Sequence, residues 1–274
     1  MNVIDVHAHI VIEETLETIQ GFGPEIGGDS ENPWFRVGNY KLNGVKYLNT
    51  PFMDVQLRLD EMERIGIDFQ VLSPNPLTYF HFIDPKLALE YCKLHNDSLA
   101  EIVFNNSKKL GGFATLPVQD PHLASKELER CTTQLGLLGA YIGTDFPSGF
   151  DDSSMDELYQ AFINLDVPLF IHPAPQGIEN QKIDKRLEKF SLDLTVGFSN
   201  EESIAIGSII FGGVLHKFPT LDICISHGGG SIAFLFGRMA LAAQQRNTTP
   251  EWLREEGEFK RQLKKLWFDN HVHQ

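Results

Sequence analysis

Val3-Ile4-Asp5-Val6-His7-Ala8-His9 is an apolar run that ends in two histidines two residues apart. Side chains repeat with period two along a strand, so both imidazoles leave one face at the strand's C-terminal end. Two nitrogen donors are thereby aimed at one point, which suits zinc and similar divalent ions and leaves room for water. The plain alternative is a chance pair of polar rings at a strand end. Two further stretches bear on the choice. Val167-Pro168-Leu169-Phe170-Ile171-His172-Pro173 is another apolar strand closed by histidine, and Leu221-Asp222-Ile223-Cys224-Ile225-Ser226-His227-Gly228-Gly229-Gly230 is a third. If these strands are parallel neighbours, four histidines converge on one mouth, and a metal site is the expected reading.

Short β-type runs alternate with longer helical patterns along the chain, the mark of βα units and a parallel sheet. Strands are expected at 3–6, 69–73, 112–116, 139–143, 167–171, 221–226 and 266–269, with helices at 85–104, 123–135, 154–165, 202–216 and 231–245 among others. The fold class is therefore α/β, a TIM-type (β/α)8 barrel in one domain over 1–274, with seven units recognised and the eighth apparently missing. Two irregular stretches, 21–51 and 173–200, are rich in Gly, Pro, Asn and charge and follow strands that end in histidine. They are expected as insertions over the site, because such barrels gather their active sites at strand C-terminal ends. The glycines after His227 let the backbone approach a ligand closely, and the amides of the helix they open favour an anion.

The chain has 274 residues, with 37 acidic against 23 basic, for a formal charge of -14. That excess argues against nucleic acid or an anionic membrane as the main partner and favours a small molecule. Cys92, Cys131 and Cys224 are far apart and odd in number, so they read as reduced thiols. No apolar run reaches the ~18 residues of a membrane span, and no basic leader precedes the first strand. A cytoplasmic location is expected.

HxH at the first strand, His-Pro at the fifth and HGGG at the sixth resemble the amidohydrolase superfamily, in the branch typified by aminocarboxymuconate-semialdehyde decarboxylase. The likeness is densest over Ser226-His227-Gly228-Gly229-Gly230-Ser231-Ile232-Ala233-Phe234-Leu235-Phe236-Gly237-Arg238 and runs from the first strand to the end of the chain. It implies a zinc-dependent, or other divalent-metal-dependent, enzyme with His7, His9 and His172 as ligands and His227 as acid/base beside a metal-bound water. It also implies Arg238 as a carboxylate-binding group that reaches a neighbouring subunit's site in a homodimer. Lys46 falls near a second basic substrate-binding position. There it replaces an arginine and lacks the planar fork that grips a carboxylate twice. The implied reaction is non-oxidative decarboxylation of an unsaturated or aromatic carboxylic acid, without an organic cofactor. Neither a phosphate loop nor a dinucleotide fingerprint is present. A hydrolase or hydratase of the same superfamily would use the same residues, and a truncated barrel without turnover is the third reading.

The family's last ligand is an aspartate after strand eight, in a Gly-Thr-Asp-Tyr-Pro-like string, and this sequence stops at Gln274, just beyond strand seven. Asp145, in Gly143-Thr144-Asp145-Phe146-Pro147, mimics that string but follows strand four, so it is expected at the rim. Asp269 is expected behind the site rather than in it. His271 and His273 are expected near the pocket rim, His81 in a packed loop with Phe80 and Phe82, and His95, His122 and His216 in structural roles.

Overall fold

The computed structural model describes residues 3–146, 148–175, 178 and 184–271. Strand β1 (Ile4–Ile10) is followed by β2 (Glu25–Gly27), β3 (Trp34–Val37) and β4 (Tyr40–Asn43), and then by β5 (Phe69–Pro74), β6 (Leu110–Gly112), β7 (Ala140–Ile142), β8 (Leu169–Ile171), β9 (Ile223–Ile225) and β10 (Trp267–Phe268). β1, β5 and β6 form one parallel sheet, and β7 to β10 form another in sequence order. A bridge between Ala114 and Ala140 joins the two. The result is the expected parallel barrel of seven strands. Among the described residues no ladder closes it between β1 and β10.

The helices are α1 (Val55–Ile65), α2 (Pro85–Asn105), α3 (Pro121–Thr133), α4 (Asp156–Leu165), α5 (Phe198–Phe211), α6 (Val214–Lys217), α7 (Ile232–Gln245) and α8 (Glu258–Leu263). Local chemistry fixes several of their starts. Asp54, Asp84 and Asp120 each accept an amide hydrogen bond at the head of α1, α2 and α3, and proline stands in the first turn of the last two. Their apolar faces, with Leu99, Leu128, Leu158, Phe162 and Ile209 fully buried, pack on the outside of the sheet.

Three expectations are corrected. The strand expected at 112–116 lies earlier, at Leu110–Gly112. The cause is Asn96 of α2, whose side-chain amide takes both the N–H and the carbonyl of Thr115 and so holds that backbone without a ladder. The stretch 21–51 is not irregular: β2, β3 and β4 make an antiparallel sheet, with Val37 opposite Tyr40 across a two-residue turn in which Gly38 has φ of 54°. The helix expected at 202–216 is two, α5 and α6, broken at Gly212-Gly213, where Gly213 has φ of 78°.

The floor of the barrel mouth is aromatic. Tyr141 and Phe170 stack with centroids 4.7 Å apart, Phe113 packs 5.7 Å from Phe170, and Val71 and Ala174 complete the cluster. Among the described residues no helix is long and apolar enough to cross a membrane.

His95 of α2 is 1% exposed. Burial pulls its pKa down to about 4, an effect that Asn96 only partly opposes. The unfolded chain takes up this proton below about pH 6.5, and the folded chain refuses it until about pH 4, so stability falls as pH drops through that window. Urea unfolding of wild type and His95→Phe should show the wild type losing up to about 3 kcal/mol more between pH 6.5 and 4; parallel pH profiles would contradict this.

Candidate metal centre and substrate pocket

β1 carries one extra residue relative to β5 between Asp5 and Ala8. A bulge of this kind re-aims side chains next to a site. Asp5 secures the irregularity: its Oδ1 accepts from the backbone N–H of His7 at 3.0 Å and its Oδ2 from Gln70 at 2.7 Å. Gln70 accepts in turn from Arg58 at 2.7 Å, and Arg58 donates its other terminal nitrogen to the His9 carbonyl at 2.6 Å. Burial lowers the Arg58 pKa to about 10, with Asp5 opposing.

His7, His9 and His172 come together, with one donor atom from each lying within 4.8 Å of the others. Ring centroids lie 4.9 Å apart for His7 and His9, 5.0 Å for His7 and His172, and 4.8 Å for His9 and His172. His227 joins them at 4.9 Å from His7 and 4.8 Å from His172. Tyr141 lies under three of the rings, 5.6 to 6.3 Å away.

Each of the four rings has its Nδ1 against an oxygen: Asp269 Oδ2 at 2.7 Å for His7, the Pro74 carbonyl at 3.0 Å for His9, the Pro173 carbonyl at 2.7 Å for His172 and Glu202 Oε1 at 2.6 Å for His227. Carbonyl and carboxylate oxygens accept, so each Nδ1 bears a proton, which leaves Nε2 of a neutral ring as its metal-binding atom. Burial, followed by the neighbouring histidines, holds the pKa of His9 and His172 well below the ordinary imidazole value, so both stay neutral at pH 7. Burial pushes the Asp269 carboxyl up, but the bonds from His7 and from the amides of His271 and Gly228 outweigh it and leave it below the usual range.

The donor set fits a divalent metal. Nε2 of His7 and Nε2 of His9 are 3.2 Å apart. Two zinc–nitrogen bonds of ~2.0–2.1 Å at a tetrahedral angle would set about that separation, which a shared proton would also allow. Asp269 behind His7 makes a carboxylate–histidine pair of the type that orients metal ligands.

These histidines head a cavity of about 570 Å³, a size suited to a small ligand. Tyr40, Leu42, Val45, Tyr47, Phe52, Leu77, Leu194 and Phe198 supply its apolar walls, and Asn75, Lys46, Arg58 and His271 add polar groups. Lys46 is thus at the pocket, on its exposed side. Arg238 is not brought there by its own chain; it is exposed on α7. Asp145 accepts from buried His81 at 2.8 Å and is not in the histidine cluster. His271 lines the pocket, with its ring 4.7 Å from His7, and His273 lies outside the described residues. Sequence reading missed Arg58, Gln70, Tyr47 and Glu202. Of these, only Glu202 left a signal, as a carboxylate opening the apolar run Ile204-Ala205-Ile206.

The amidohydrolase family Amidohydro_2 matches residues 4–274. The chain belongs to this family. It is 31% identical over 239 residues to a 2-amino-3-carboxymuconate-6-semialdehyde decarboxylase of Dictyostelium discoideum, covering 86% of this chain and 65% of that protein. The chain therefore spans just under two thirds of that relative. A gamma-resorcylate decarboxylase of Polaromonas sp. (strain JS666 / ATCC BAA-500) is 28% identical over 257 residues, 91% of this chain and 73% of the relative. In fold, the chain is similar to a dihydroxybenzoic acid decarboxylase from Polaromonas sp. JS666 solved with manganese and 2-nitroresorcinol, with a TM-score of 0.74 and 24% identity over 98% of this chain and 78% of the other.

Elemental analysis of the purified chain should find about one divalent transition-metal ion per molecule, lost in the His7→Ala/His9→Ala variant. Asp269→Ala should keep the ligands but weaken zinc binding by about 10–100-fold in a chelator competition. Unchanged affinity would remove Asp269 from the site.

Proposed function

We propose that this amidohydrolase acts as a metal-dependent, non-oxidative decarboxylase of a small aromatic or unsaturated carboxylic acid. The observation that supports this best is the pocket itself: imidazole donors converge at one end, aromatic and aliphatic side chains line a cavity of about 570 Å³, and a lysine stands at the mouth. The decarboxylase relatives point the same way.

His7, His9 and His172 would hold zinc or another divalent transition metal, with manganese present in the similar solved structure. Once bound, that ion supplies Lewis acidity at the head of the pocket. The apolar walls exclude water and orient the ring, while Lys46 attracts the acid's negative charge. His227, beside the cluster, would first take a proton from solvent at Nε2, with Glu202 balancing the charge at Nδ1, and then hand it to the carbon that bears the carboxylate. The bond to the carboxyl carbon then breaks, its electron pair returns to the unsaturated system, and CO2 departs. No residue of this sequence needs an organic cofactor.

Arg238 completes carboxylate binding from a second copy in a homodimer, which fits its exposure on α7 beside Phe234 and Leu241, themselves 91% and 52% exposed. A cytoplasmic location suits three cysteines that form no disulfide.

Incubation of the metal-loaded protein with hydroxylated benzoates and carboxymuconate-type acids should release CO2 with at least one of them and lose that activity in His227→Asn. Hydrolysis of esters or lactones without CO2 release would reject this reading in favour of a hydrolase. If Arg238 acts across the dimer, mixing Arg238→Ala with His227→Ala chains should restore part of the activity that neither possesses alone.

A further inference from the structure

Resting on that reading of His227, we propose that Glu202 is its positioning residue, a buried carboxylate that fixes the ring's tautomer and direction. Glu202 is fully buried on α5, and its Oε1 accepts from His227 Nδ1 at 2.6 Å and from Ser226 Oγ at 2.5 Å. A buried carboxylate is costly unless charged or strongly donating partners surround it. The chain after β9 is shaped to supply them. His227, Gly228, Gly229 and Gly230 all have positive φ, at 47°, 64°, 77° and 61°, and a Cβ on Gly230 would lie 2.8 Å from Glu202 Oε2. Ser226 and His227 thus supply both donors to Oε1, and Gly230 lets the backbone pass close to Oε2, which is buried without a hydrogen-bond partner.

Structural needs alone do not call for a carboxylate. Of the candidate metal ligands only His7 has one, from Asp269, while His9 and His172 are oriented by the Pro74 and Pro173 carbonyls. His227 receives an anion instead, and its ring sits against His7 and His172 with its remaining nitrogen available to the pocket. A carboxylate at Nδ1 keeps the proton on that nitrogen, leaves Nε2 as the acceptor, and balances the charge the ring gains while it holds a second proton, as in hydrolase triads.

The test uses the metal-free chain labelled with 15N-histidine at pH 8, with the His227 signals assigned by comparison with His227→Asn. Long-range proton–nitrogen spectra should show His227 wholly in the Nδ1–H form. In Glu202→Ala, the Nε2–H form should become the major one while His9 and His172 keep their patterns. Glu202→Gln, which keeps the size and removes the charge, covers the case in which the alanine variant does not fold. In the metal-loaded enzyme it should lower kcat by about 10–100-fold with KM and metal content within about twofold of wild type. Wild-type His227 in the Nε2–H form, a tautomer unchanged in a folded Glu202→Ala chain, or an unchanged kcat in Glu202→Gln would each overturn the assignment. The tautomer is read without substrate or metal, so absence of CO2 release from every acid would defeat the decarboxylase reading and leave this result standing.

Discussion

Four hydrogen bonds on the outer nitrogens of four imidazoles are the constraint on which the site depends. Each Nδ1 meets an oxygen that only accepts and so carries a proton, while the Nε2 atoms of His7 and His9 face one another at 3.2 Å. The acceptors come from different parts of the fold: a carbonyl at the end of β5, another just past β8, Glu202 from α5 and Asp269 from the end of β10. Displacing any one of these elements would free a ring to flip and would spoil the convergence. The barrel is thus the means of holding four acceptors at fixed positions behind four rings.

The two carboxylates add a second property. Neutral His9 and His172 contribute no charge, so Asp269 and Glu202 make the surroundings of the cluster anionic, which suits a divalent cation. Asp269 has a mechanical role as well. It joins β1 to β10 through His7, and accepts from Gly228 at 3.3 Å, across an interval where neither a strand ladder nor a bridge ties the described barrel together. One side chain therefore links closure of the site with closure of the fold. Beneath it, the stacked Tyr141 and Phe170 prevent the rings from sinking into the barrel.

What was legible in the sequence was whatever follows from strand periodicity. Histidines at the ends of apolar runs can be placed on one mouth once the strands are known to be parallel, and His7, His9, His172 and His227 meet as that argument requires. Asp269 was legible as a group behind the site because it follows a short apolar run at the same end. Long-range partners were not legible. Nothing adjacent to Glu202 indicates that His227, 25 positions away, will bind it, and Asn96 capturing the backbone of Thr115 displaced a strand that propensity alone put at 112–116. The hairpin of β3 and β4 was hidden in a stretch whose glycine, asparagine and charge content suggested a loop, although Gly38-Asn39 between alternating residues is itself a turn signal.

The central claim is that three imidazole Nε2 atoms hold one metal ion at the mouth of this barrel. X-ray absorption at the zinc edge of the purified, zinc-loaded chain measures it most directly. The account predicts a first shell dominated by three imidazole nitrogens at ~2.0–2.1 Å, reduced to one in His7→Ala/His9→Ala. A shell of oxygens only, or one that the double substitution leaves unchanged, would contradict it.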